Sequence, residues 1–157
     1  MKDFLQPDGN NLGGILRFRF IPVADVQSFP LPINGMITEP LTIKTGKQWY
    51  CGYSTLEKTR YTEPDDSTNG GVVFKKTFAG FYPKDQEEMS VLFNSMRHDR
   101  FLIDYTDSNK IRKLVGTLQE PLQFSSNLNT GEKLVDLAGH SFRFFGDGTA
   151  KSFIYDI

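Results

Sequence analysis

Two periods run along the chain, and the shorter one dominates. Over residues 15–21, Leu16, Phe18 and Phe20 alternate with Arg17 and Arg19, which predicts a strand with one buried and one wet face. Residues 72–82 are a long run of β-branched and aromatic side chains closed by Pro83, again a strand. Residues 101–105 and 110–115 predict a hairpin around the turn formers 106–109, with Asp104 as a cross-strand partner of Arg112. Shorter strands are predicted at 41–44, 48–53, 54–61, 122–127, 140–145 and 152–155. Asn34-Gly35 and Thr45-Gly46-Lys47 mark tight turns.

One stretch follows the longer period. Met89, Leu92, Phe93 and Met96 recur at i, i+3, i+4 and i+7, so residues 85–97 predict a helix with one apolar face. Gln86, Glu87, Ser90 and Asn94 take its polar face. Asp85 stands at the N-cap position and Glu88 three residues on, the spacing of a capping box. A helix this short is not stable alone and must lie on a sheet. The expected fold is mostly β, of α+β type: an antiparallel β-sandwich or barrel with one packed α-helix. Residues 1–14 read as a flexible N-terminal arm, and residues 15–157 as a single β-rich domain. The almost wholly polar stretch 63–71 reads as a mobile loop. Pro22, Pro30, Pro32 and Pro40 break the segment 22–40 into short extended pieces.

Composition narrows the function classes. At 157 residues one domain is expected, and 14 Phe suit a β core. A net charge of −1, from 18 basic and 19 acidic residues, argues against a nucleic-acid partner. The Lys75-Lys76 and Arg112-Lys113 pairs read as solvated strand faces. A single cysteine, Cys51, leaves no internal disulfide and no Cys-based zinc site. No run approaches the ~20 apolar residues of a membrane span, and the first residues lack the apolar core of a secretory signal. A soluble protein made in the cytoplasm is expected.

The candidate chemistry is sparse. His140 has Ser141 beside it and Asp136 nearby, but neighbours in a strand point to opposite faces and no G-x-S-x-G elbow exists. His98 falls at the helix C-terminus, a place for a surface cation. Asp104 and Glu120 are one carboxylate pair among many. Asp65 and Asp66 lack the spacing of a calcium loop. The expectation is therefore a non-enzymatic protein with no cofactor and no metal. Trp49, Tyr50 and Tyr53 offer an aromatic platform for a ligand such as a carbohydrate, against the plainer reading of Trp49 as core.

The course of the C-terminal half carries a resemblance. Arg100 to Asp107, Lys113 to Ser125, Asn129-Thr130-Gly131 and Asp136 to Phe144 resemble the tail-associated structural proteins of bacteriophages and prophages. The resemblance covers roughly residues 70–157. It implies a virion building block of the tail tube or head–tail connection, with no catalytic residues, that closes into rings with copies of itself and contacts other virion proteins. It also implies assembly in the cytoplasm of the host bacterium. On that reading the arm and the stretch 63–71 are assembly elements, and Arg17, Arg19, Glu63, Asp65 and Asp66 are candidate contacts between subunits.

Overall fold

A computed structural model describes residues 12–157, so most of the predicted arm 1–14 lies outside the described residues. The described chain is mostly β with one short α-helix. The strands are β1 (Ile15–Pro22), β2 (Val26–Ser28), β3 (Met36–Ile37), β4 (Thr42–Ile43), β5 (Tyr50–Cys51), β6 (Arg60–Thr62) and β7 (Asp65–Thr68). After them come β8 (Gly71–Pro83), the helix α1 (Glu87–Met96), β9 (Phe101–Asp107), β10 (Arg112–Val115), β11 (Gln123–Asn129), β12 (Gly139–Gly148) and β13 (Phe153–Tyr155). A six-stranded sheet runs in the order β3-β13-β10-β9-β1-β5. A second sheet runs β11-β12-β8-β6, with β7 also paired to β8, and β2 pairs with β4. The pairings are antiparallel except β13 with β3, which is parallel.

Alternation explains the main core. Phe18 from β1, Phe101, Ile103 and Tyr105 from β9, Phe78 from β8, and Phe142 and Phe144 from β12 meet in one cluster. The Phe18 and Phe78 rings are 4.7 Å apart, a contact worth about 0.5–1.5 kcal/mol beyond area burial. Phe93 and Met96 of α1 close this cluster on one side, with Met89 half-buried beside them. Leu92 is exposed, because it lies at the edge of the helix's apolar stripe.

The predicted wet face of β1 holds at Arg17, which is exposed, and is corrected further along the strand, where Arg19 is partly covered and Ile21 buried. Ile21 and Leu102 point away from the main core and are fully buried in a second cluster with Val26, Ile37, Leu41, Leu114, Phe153 and Tyr155. The proline-broken segment supplies its cover, so the irregular stretch is a lid over the six-stranded sheet. Asn34 and Gly35 take φ of 51° and 77°, and Ile33 and Met36 exchange backbone hydrogen bonds across them, as Asn-Gly predicts. Leu16, expected inside, is 61% exposed. A bulge is the reason: Ile15 pairs with Asp107 but Arg17 with Thr106, so the register slips by one residue at Leu16.

Four other boundaries differ from expectation. The helix starts at Glu87 with Gln86 as N-cap and no side-chain cap, so the Asp85 capping box does not form. Residues 65–68, within the expected loop, form β7 and pair in register with Gly71–Phe74. Only Tyr50–Cys51 of the predicted strand 48–53 is strand. Gly52 packs under Phe18, where a Cβ would stand 2.0 Å from the ring. Of residues 54–61 only the end joins a sheet, since Glu57 at φ 63° turns the chain first.

Candidate functional site

The second sheet leaves one face open. Along β8, Phe78 and Gly80 are buried while Thr77, Ala79 and Phe81 are only partly covered, so the odd positions form the outer surface. Ser141 and Arg143 of β12, Ser125 and Asn127 of β11, and Arg60 of β6 join them. All of these but Thr77 line a groove of about 710 Å³, with Ala79, Gly80, Ser125 and Ser141 among its small residues.

Register places two arginines in one row of that groove. Ala79 lies opposite Arg60 on one side and Arg143 on the other, and Arg143 lies opposite Ser125. Arg143 is held: its Nε donates to Ser125 Oγ at 3.0 Å and its guanidinium stacks 4.5 Å from the Phe145 ring centre. Neither Arg60 nor Arg143 forms an ion pair among the described residues. Lys58 and Glu57 stand on the rim. At one end Leu137 joins the lining, from a loop that leaves Leu134 and Val135 exposed to solvent over most of their surface. Asp136 shapes the loop by accepting from the N–H groups of Glu132 and Lys133 at 2.9 and 2.8 Å. Those bonds hold its carboxyl below the usual range.

The first sheet also carries two arginines, Arg19 opposite Asp104 and Arg112 diagonal to it, and these are satisfied. Asp104 is 3% exposed and accepts from Arg19 Nε at 2.9 Å and from Arg112 Nε and Nη2 at 2.8 and 2.7 Å. The expected Asp104–Arg112 pair is therefore present, with Arg19 added. The Asp104 hydrogen bond holds Arg112 protonated, raising it further above its ordinary value. Arg19 also lies 4.9 Å from the Trp49 ring centre, and Arg112 4.7 Å from that of Tyr155.

The remaining predicted residues fall in different places. Arg17, Asp65 and Asp66 are exposed, and Asp66 meets Lys75 at 3.1 Å. Glu63 is turned inward: it accepts from the Tyr61 hydroxyl at 2.5 Å and the Ser152 N–H at 2.6 Å. Burial first, then the Glu63 carboxylate, pushes the Tyr61 phenol well above its ordinary value. Trp49 packs on the second cluster, whereas Tyr50 stacks on Phe20 beside the main core at 5.8 Å. Tyr53 meets Tyr82 edge-on at 6.1 Å, at the mouth of an apolar cavity of about 210 Å³. These three aromatics do not form one platform. His140 is buried and its Nε2 lies 2.9 Å from Asp85 Oδ1, while Ser141 faces out. The hydroxyl and imidazole are on opposite faces, as the strand geometry required, and no triad forms with Asp136.

Lys76 overturns the expectation of a solvated lysine pair. It is 2% exposed, and its Nζ has no hydrogen-bond partner. Burial lowers its pKa against the opposing pull of Glu120 and Glu63. Glu120 accepts from the Thr149 N–H at 3.0 Å and its hydroxyl at 2.8 Å. Burial raises the Glu120 carboxyl, but those bonds and Lys76 outweigh it and leave the pKa lowered. Both groups crowd Gly148, where a Cβ would stand 2.5 Å from Glu120 Oε2 and 2.8 Å from Lys76 Nζ.

Sequence reasoning missed Arg60, Ala79 and Arg143 as a group. Each sits on a strand with visible alternation, but their meeting depends on the register of three strands distant in the chain. Among the described residues, no group of three or more His, Cys, Asp or Glu is placed to hold a metal ion, and no helix is long and apolar enough to cross a membrane. No protein-family model, curated protein or solved structure matches the chain.

Proposed function

We propose that this chain is a non-enzymatic structural protein that self-associates, a virion component of the tail or head–tail connection that its C-terminal motifs resemble. On this reading the two larger sheets are the layers of a β-sandwich around the phenylalanine core. The protein assembles in the host cytoplasm and works within the particle. The observation that carries the reading is the loop with Leu134, Val135 and Leu137. All three aliphatic side chains are exposed there. Large contiguous apolar exposure marks contact surfaces. Burying a Leu or Val side chain fully contributes about 1.5–3 kcal/mol, so docking this loop against a neighbour offers a substantial drive to associate. The adjoining edge strand β11 supports the same reading. It pairs with β12 on one side, and on the other Arg97 donates to the Ser126 carbonyl at 3.0 Å with no further strand among the described residues. An open edge is a template for pairing with another chain.

The test is Leu134→Ser with Val135→Ser. Both residues are exposed, so the fold and its melting temperature are expected to stay as they are. Self-association followed by sedimentation is expected to weaken at least about tenfold, since 1.4 kcal/mol corresponds to tenfold. Unchanged association in the double variant would count against this surface.

A further inference from the structure

We infer that the groove over Ala79 receives the acidic hairpin of a second copy of this chain, with Asp65 and Asp66 of that copy meeting Arg60 and Arg143. The inference rests on the self-association proposed above and names its contact.

Three observations converge. First, the groove is prepared for oxyanions. Arg143 is fixed by Ser125 and Phe145 with the outer edge of its guanidinium uncommitted, and a fixed arginine fork matches a carboxylate in two parallel hydrogen bonds. Second, the groove has a vacancy of the right kind. Arg60 and Arg143 are on strands either side of β8, about 10 Å apart at the backbone. Ala79 between them leaves room for one extended strand laid edge-on. Adjacent residues of a strand point to opposite faces, so such a strand offers one carboxylate to each arginine. Third, the chain carries that strand. All four residues of β7 are exposed, and Asp65 has no ion pair among the described residues. Asp66 has only the exposed Lys75, a contact of a kind worth little. Leu137 at the end of the groove places the apolar loop beside the incoming hairpin.

The contact joins two different surfaces. It is therefore heterologous, and repetition closes a ring or extends a fibre.

Charge exchange tests it. Arg60→Glu with Arg143→Glu makes the groove acidic, and Asp65→Arg with Asp66→Arg makes the hairpin basic. Each double variant alone is expected to associate at least tenfold more weakly than the wild type. An equimolar mixture is expected to regain association, because the acidic groove of one variant accepts the basic hairpin of the other. Near-ultraviolet circular dichroism checks that each folds. Ala79→Asp is the independent variant: it supplies an internal carboxylate to both arginines and is expected to abolish association without loss of fold. A wild type that assembles while all these variants assemble equally overturns this contact and leaves self-association standing. A wild type that stays monomeric at every concentration overturns both. Binding of a poly-glutamate peptide to such a monomer would assign the groove to another acidic chain and overturn the second copy.

Discussion

Two rows of side chains, one on each larger sheet, each carry two arginines, and only the first holds an acid between them. On the first sheet Arg19 lies opposite Asp104 and Arg112 reaches it diagonally from opposite Thr106; on the second Arg60 and Arg143 lie directly opposite Ala79. The first row is closed. Its carboxylate is buried under two guanidiniums, which in turn lie against Trp49 and Tyr155. The second row has the cations, the support for one of them, and no acid. The first row is satisfied within the chain, whereas Arg60 and Arg143 have no ion pair among the described residues, and it is these that the proposed contact uses.

The largest effect comes from opening the closed row. Asp104→Ala leaves two guanidiniums facing each other without a counter-charge and is expected to lower stability by about 3 kcal/mol in denaturant unfolding. A loss below 1 kcal/mol would mean that the row is no better than a surface ion pair. Next comes closing the open row with Ala79→Asp, which is expected to leave unfolding within about 0.5 kcal/mol of the wild type while association is lost.

Lys76 sharpens the comparison as a third case, a cation buried without a hydrogen bond. Lys76→Met is expected to raise stability by about 1 kcal/mol at neutral pH, because removing an unpaired buried charge relieves its desolvation. The sign with pH follows. The folded-state pKa of Lys76 lies below its ordinary value of 10.5, so between the two values the unfolded chain binds more protons. Stability is expected to rise with pH across that window in the wild type and not in Lys76→Met, read from melting temperatures. The smallest effect is expected at acid pH from Glu120, whose folded pKa is lowered. Its contribution is full above its unfolded value of 4.5 and lost as pH falls through the folded one, so Glu120→Gln should flatten the acid limb of the stability profile.

Much of the first row was legible in the sequence and little of the second. Asp104 and Arg112 stand across a short turn, so local pairing predicts their meeting. Arg19 joins through β1, where alternation alone implied a solvated face. That implication held at Arg17 and failed at Ile21, where the proline-broken segment covers the sheet, since proline density marks irregular backbone without saying what it lies on. The helix was legible from its apolar period, but Asp85 went to His140 instead of capping it, a long-range competitor that local spacing does not show. Leu16 was lost to a bulge, and Lys76 to the assumption that paired lysines are wet. Arg60, Ala79 and Arg143 needed the register of β6, β8 and β12. Alternation gives the face of each strand but not which residues lie opposite.

The most direct measurement is the mass of the wild-type chain by light scattering over a concentration series at low and high salt. The proposed account predicts masses that rise above 17.9 kDa with concentration and fall back as salt screens the arginine–aspartate contact. A mass that stays at 17.9 kDa throughout would contradict it.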